Sequence, residues 1–265
     1  MPWAEPGGAR VVSAVTCDRV YATATHQMCL RANRGTTTTF TADLLDADGV
    51  SLQTWPLAGV PSRTRMNTAG TLVAFSSFNT AESYATVGFS ITTVIAEVGG
   101  DGVDLETFAL SVDGLPRTAA DRNIWGVTFT SDPNEFYATA ASAGQTWLVR
   151  GDRSAATLTA VREGAECPSV SPDGTRVAYK KNVSDTAVPF WNIAVYDLVT
   201  EQEILLPDDG NIDDQVEWLD DTTILYGVAR ADAAGQSDIW SAPADGSAGA
   251  EIAIEHAWSP SVVRQ

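Results

Sequence analysis

The chain has 265 residues, 44% of them apolar and 19% charged, and its 34 acidic against 16 basic side chains give a formal net charge of −18. That apolar content excludes a disordered chain, and the length allows one large domain or two small ones. The acidity excludes nucleic-acid backbones and anionic lipid surfaces as partners, and no apolar run reaches the roughly 18 residues that a membrane-spanning helix needs.

In chain order the sequence reads as short runs rich in Val, Thr, Tyr and Trp between Gly, Asp and Pro clusters, and no 3.6-residue amphipathic pattern persists. Residues 1–6 lack the basic and apolar regions of a signal peptide. A Val-rich run follows at 9–14. The first full set of strands falls at 18–23, 27–31, 40–45 and 51–56, turning at Asp46-Ala47-Asp48-Gly49. The second falls at 63–66, 72–76, 90–96 and 105–110. The third falls at 126–130, 135–140, 146–150 and 157–162, turning at Asp132-Pro133-Asn134.

The fourth set is the clearest. Ser171-Pro172-Asp173-Gly174 is a tight turn, because Pro172 presets φ, Asp173 can bond back to the backbone, and Gly174 takes the position a side chain would resist. Strands are expected at 168–171, 176–180, 191–198 and 201–206. The fifth set falls at 215–219, 223–228, 238–242 and 251–255, with turns at Asp220-Asp221 and Asp245-Gly246. Repetition at about 40–60 residues with variable loops is the signature of a solenoid or propeller. The blades are expected at 17–57, 61–112, 124–163, 167–207 and 214–256, within one domain over 1–265. Residues 258–263 repeat the inner-strand pattern around Cys167, so a sixth, incomplete closing blade is expected from 9–14 and 258–263. Closure of that kind removes exposed edges. Two middle strands of it are missing, which points to a longer natural N-terminus; five blades is the alternative count.

The run Ser171-Pro172-Asp173-Gly174-Thr175-Arg176-Val177-Ala178-Tyr179, followed by Asn192-Ile193-Ala194-Val195-Tyr196-Asp197-Leu198 and by Asp238-Ile239-Trp240-Ser241-Ala242-Pro243-Ala244-Asp245-Gly246, resembles the TolB-type propeller repeat. The chain as a whole is similar to the TolB-like propellers of actinobacteria, with residues 17–162 departing from the motif at Asn67-Thr68-Ala69-Gly70 and Asp132-Pro133-Asn134. The resemblance implies a protein-interaction platform in a bacterial envelope, extracytoplasmic or membrane-anchored through an N-terminal segment absent from this sequence. The start of the chain leaves a cytoplasmic location as the alternative. The resemblance supplies no catalytic residues.

The residues themselves offer little chemistry. His26 and His256 are the two histidines, and no GxSxG elbow accompanies them, so a Ser-His-Asp triad is not indicated. Three cysteines, Cys17, Cys29 and Cys167, permit at most one disulfide, and strand pairing about a turn near His26 does not set Cys17 opposite Cys29. Zinc spacing is missing. Calcium is the one metal candidate, because the acidic loops at 46–49 and 208–214 gather hard oxygen ligands, although neither has EF-hand spacing. Trp147, Trp191 and Trp240 recur on third strands and are expected to pack between sheets.

In a propeller the inner strands line a channel, and the segments that enter them form its mouth. Here those segments carry Asp18, Arg19, Arg63, Asn123, Trp125, Glu166, Asp213, Asp214, Gln215 and Trp258, a polar and partly acidic funnel. Such a funnel suits a peptide or a small cationic ligand; the bland alternative is a water-filled channel with Trp125 and Trp258 packed between blades. The expectation is an all-β propeller that acts as a non-catalytic, monomeric, cofactor-free scaffold binding a protein or peptide partner. The alternative is a lyase or hydrolase working from carboxylates such as Glu166 and Asp214.

Overall fold

The turn at Ser171 forms as its residues dictate. The Gly174 N–H donates to the Ser171 carbonyl at 2.9 Å, Gly174 sits at φ +72°, and the Asp173 carboxylate accepts from the Ser171 hydroxyl and the Thr175 N–H. The divergent copies reach the same end with other side chains. Asn67 Oδ1 accepts from the N–H groups of Thr71 and Leu72, Asp132 from Asn134, and Asp220 from Thr222 and Thr223. What recurs is an acceptor side chain at the turn's start, which occupies backbone donors that the ladder cannot reach.

The computed structural model describes residues 8–79, 90–207 and 210–264. Its first sheet runs β1 (Arg19–Ala22), β2 (His26–Asn33), β3 (Thr39–Asp46), β4 (Ser51–Pro56), and its second β5 (Pro61–Met66), β6 (Leu72–Phe78), β7 (Ile91–Glu97), β8 (Gly102–Asp104). Then come β9 (Ala109–Val112), β10 (Leu115–Arg117), β11 (Asn123–Phe129), β12 (Glu135–Ser142), β13 (Gln145–Asp152) and β14 (Thr157–Glu163), in the order β10-β9-β14-β13-β12-β11. The fourth sheet is β15 (Glu166–Val170), β16 (Arg176–Asn182), β17 (Trp191–Asp197), β18 (Glu203–Leu205); the fifth is β19 (Glu217–Trp218), β20 (Thr223–Ala229), β21 (Ser237–Pro243), β22 (Glu251–Ile254). Each blade is built on a four-stranded antiparallel meander, to which the third adds β9 and β10 beyond its outer strand, and the fold is an all-β propeller.

The blade count among the described residues is five, the alternative number. Residues 9–14 and 258–263 run as coil, so the sixth sheet does not form. A strand exists only where a neighbour takes its backbone groups, and among the described residues no middle strand stands beside either stretch. The two stretches are nonetheless brought near each other: Arg10 donates to the carbonyls of Glu255 and His256.

The second sheet corrects another expectation. Residues 105–110 are not its fourth strand. Asp104 accepts from the Glu106 N–H at 2.9 Å and starts a single 3₁₀ turn over Leu105–Thr107, while Leu105 and Phe108 enter the core. The chain then leaves that sheet and adds β9 to the next one, parallel to β14 with Thr157 opposite Ala109.

Two compact units are distinguished, Thr16–Cys167 with the last residues after Val262, and Pro168–Val262 with the segment up to Val15. In the first unit, Met28, Leu30, Leu44 and Trp55 of blade one meet Met66, Val73 and Phe75 of blade two. Ala74 and Ile95 of blade two join Ile124, Phe136, Trp147 and Leu158 of blade three. In the second unit, Ala178, Ile193 and Val195 pack on Trp218, Ile224 and Tyr226. Apolar residues of neighbouring sheets thus lie in layers between them, the face-to-face burial that drives such a fold.

Cys17 and Cys29 are joined by a disulfide, with Cα atoms 5.3 Å apart. Ladder register alone sets Val20 opposite Cys29. Just before β1 the regular register ends: the Asp18 N–H donates to the Leu30 carbonyl at 2.8 Å and its carboxylate accepts from the Ala32 N–H at 2.7 Å, and the Thr16 carbonyl lies 3.6 Å from Cys29 Sγ, so Cys17 comes within reach of Cys29. Cys167 is a buried free thiol.

Candidate functional site

Antiparallel alternation decides which loops share an end. Within the Thr16–Cys167 unit, the inner strands β1, β5 and β11 begin at the end where the β2–β3 and β12–β13 turns lie. That end carries two clefts. The first, of about 400 Å³, is lined by Asp18, Arg19, Ala32, Arg34, Thr38, Phe40, Val60 and Pro61. The second, of about 380 Å³, includes Glu106, Asp121, Arg122, Asn123 and Ser142 among its walls.

In the first cleft, Arg19 Nε donates to the Ser62 carbonyl at 2.8 Å and Nη1 to the Asp18 carbonyl at 3.0 Å. These bonds orient the guanidinium. Arg34 and Thr38 come from the loop beyond the last β2–β3 pair, Asn33 opposite Thr39.

In the second cleft, Asp121 accepts from the Ser142 hydroxyl at 2.7 Å and from the Ala143 N–H at 2.7 Å, which hold its carboxyl below the usual range. Glu106 is displaced the other way: burial raises it, Asp104 adds repulsion, and Arg122 opposes both. Arg122 is anchored by the carbonyls of Phe108 and Glu106. The two carboxyls of this cleft are therefore shifted in opposite directions.

Of the residues expected at the mouth, Asp18 and Arg19 line the first cleft and Asn123 the second. Asn123 Oδ1 also accepts from the Ile91 N–H at 3.0 Å, tying blade three to blade two. Arg63 is buried on β5, where every residue is buried, and Nη1 donates to the Ser62 carbonyl. Trp125 is 1% exposed and packs with Phe78, Ile91 and Cys167 between blades. Glu166 stands half-buried at the start of β15.

In the Pro168–Val262 unit, Asp213 is largely exposed and takes the buried Lys180 ammonium at 2.5 Å, which also lies 4.8 Å from the centre of the Trp191 ring. Asp214 is fully buried and accepts from the N–H groups of Gly227 and Ser259, both at 3.0 Å, and from the Ser259 hydroxyl at 2.9 Å. A Cβ on Gly227 would stand 2.6 Å from Asp214 Oδ2 and 2.6 Å from Trp258 Cε3. Asp214 and Trp258 thus close over one glycine and fasten the C-terminal segment. Gln215 is half-buried just before β19.

Sequence reasoning missed Arg34, Thr38, Phe40, Glu106, Asp121 and Arg122. Arg34 and Thr38 lie between the strands expected at 27–31 and 40–45, and Glu106 lies within the strand expected at 105–110. The acidic turn at Asp46 has a structural use, since Oδ1 accepts from the N–H groups of Asp48 and Val50. Asp208 and Asp209 of the second acidic loop lie outside the described residues.

No family model and no curated protein matches the chain. Solved structures do. TolB from Acinetobacter baumannii superposes with a TM-score of 0.59 at 14% identity, over 86% of this chain and 52% of that one. A TolB-type protein from Agrobacterium tumefaciens gives 0.57 at 11% identity, over 89% and 79%. An oligogalacturonate lyase crystallised with manganese gives 0.54 at 12% identity, over 84% and 64%. The chain therefore spans about half the length of the Acinetobacter protein. At such identities the likeness is one of fold, and it is to β-propellers of the TolB kind.

Proposed function

We propose that this protein is a non-catalytic binding scaffold that engages a protein or peptide partner at the end of the Thr16–Cys167 unit where the inner strands begin. The observation that carries the reading is the pair of polar clefts at that end, lined by Asp18, Arg19 and Asn123 together with the loop residues beside them. The fold shared with TolB propellers supports it. The Cys17–Cys29 disulfide supports an extracytoplasmic setting, because such bonds persist in oxidising compartments. A photo-crosslinking residue placed at Thr38 should trap a partner in the source organism's envelope fraction, whereas one at Asp48, on the turn at the opposite end of blade one, should not. Equal labelling from both positions, or none from Thr38, would refute the proposal.

One observation favours a second reading, carboxylate catalysis. Glu106 and Asp121 are shifted in opposite directions within one cleft, the arrangement an acid and a base require. The propeller fold shared with an oligogalacturonate lyase makes uronide oligomers the first substrates to try. Turnover abolished by Glu106→Gln would establish it.

A further inference from the structure

Among the inner strands of the Thr16–Cys167 unit, β1 has little apolar contact to hold it. All six residues of β5 are buried and five of the seven in β11, whereas within Arg19–Ala22 only Tyr21 is. Val20 is 40% exposed. A strand with so few buried side chains belongs to the part of a fold that opens first. The Asp18 bond to the Ala32 N–H beside it lies at the surface, where water competes for it. The covalent tie is the Cys17–Cys29 bridge, which meets β2 at the residue opposite Val20. We propose that this bridge is a redox latch: closed, it keeps β1 on β2 and the first cleft whole; reduced, it lets β1 leave, and the cleft loses the wall that β1 carries. The consequence for binding rests on the proposal that this end of the unit is the binding face.

The position of the bridge couples it to the cleft. Asp18 and Arg19 follow Cys17 directly, Ala32 comes three residues after Cys29, and all three line the cleft. Cys17 is half-buried and Cys29 fully buried, so an incoming thiolate meets the Cys17 sulfur. Attack there forms a mixed disulfide and expels the Cys29 thiolate. The second thiol of a dithiol then takes the mixed disulfide and releases Cys17. Two electrons and two protons pass from the dithiol to the bridge, and the dithiol closes to its own disulfide. A disulfide oxidant runs the same steps backward. The cleft is thus complete where thiols are oxidised and incomplete where they are kept reduced.

The test compares the oxidised protein with the same protein held in dithiothreitol without denaturant. Alkylation and mass measurement count the free thiols. Amide hydrogen exchange follows three donors: Asp18 to the Leu30 carbonyl, Ala32 to the Asp18 carboxylate, and Thr23 to the His26 carbonyl at the far end of β1. Reduction should speed exchange at all three about a hundredfold, the scale of the loop entropy for a bridge spanning 12 residues, while the β2–β3 and β12–β13 ladders keep their protection. Cys17→Ser, made at the less buried cysteine, should exchange in the same way with no dithiol present, which separates the bridge from other effects of the reagent. Partner capture by a crosslinker at Thr38 should fall about tenfold or more in both, since only molecules with β1 in place bind.

A bridge that resists dithiothreitol until the whole unit unfolds overturns the latch, and so does reduced protein in which Thr23 stays protected. Undiminished capture at Thr38 by Cys17→Ser, with β1 open, overturns the inference and leaves the binding face standing. Capture by neither form, with β1 opening on reduction, leaves the latch standing and removes the binding face.

Discussion

Replacing Asp214 should separate architecture from function at a position the sequence places in the funnel. Its carboxylate is fully buried and takes three hydrogen bonds, from Gly227 N–H, Ser259 N–H and the Ser259 hydroxyl. In Asp214→Ala the Gly227 N–H, in the middle of β20, loses its acceptor in a buried setting, at a cost of about 1–3 kcal/mol. The Ser259 donors are only partly buried and regain water, adding roughly 1 kcal/mol between them. The expected loss of unfolding free energy is about 3 kcal/mol. Asp214→Asn should cost less than about 1 kcal/mol, because Oδ2 takes both N–H groups and the amide nitrogen can donate to a Ser259 hydroxyl turned to accept. Urea titration gives the totals, and amide exchange at Gly227 and Ser259 gives the site. If Asn proves as damaging as Ala, the carboxylate charge itself is required, and the hydrogen-bond reasoning is wrong.

Gly227→Ala should destabilise the same junction, since its methyl would stand 2.6 Å from both Asp214 Oδ2 and Trp258 Cε3; a neutral result in urea would contradict the packing. Cys17→Ser opens a bridge spanning 12 residues and should cost about 3 kcal/mol on the loop-entropy estimate, checked by comparing denaturation midpoints with the oxidised parent. Gly174→Val should cost about 1–2 kcal/mol from backbone strain alone, since a Cβ there meets nothing within 4 Å while φ is +72°. Asp152, held down to about 2 by the Ala155 N–H, Asn134 and Ser154, favours the folded state above its ordinary pKa of 3.8, and that contribution disappears as pH falls through about 2. Asp152→Asn should therefore flatten the acid limb of stability between those values; an unchanged limb would refute the assignment.

The strands and their turns were legible because each rests on local chemistry. Pro172, Asp173 and Gly174 reveal a tight turn, Asp220-Asp221 marks another, and short runs rich in Val, Thr, Tyr and Trp between them reveal strands; that Asn67, which departs from the motif, caps its turn through Oδ1 emerged only from the structure. The blade architecture follows from repeating that unit. Blade number was not legible in the same way. Residues 9–14 and 258–263 have strand-like sequences, but hydrogen-bonding partners decide whether a strand exists, and among the described residues none pairs with them. The disulfide depended likewise on how the residues before β1 lie against β2, where Asp18 bonds both Leu30 and Ala32, and not on strand register. The candidate site divides along the same line. Asp18, Arg19 and Asn123 could be named because they start inner strands. Arg34, Phe40 and Glu106 could not, because their place at a cleft comes from how loops of different length fold over neighbouring blades. Asp214 shows the converse: its sequence context reads as an open carboxylate, and only three-dimensional closure around Gly227 makes it a fastener. Local chemistry sets secondary structure residue by residue, whereas a cleft is a property of surfaces brought together from distant parts of the chain.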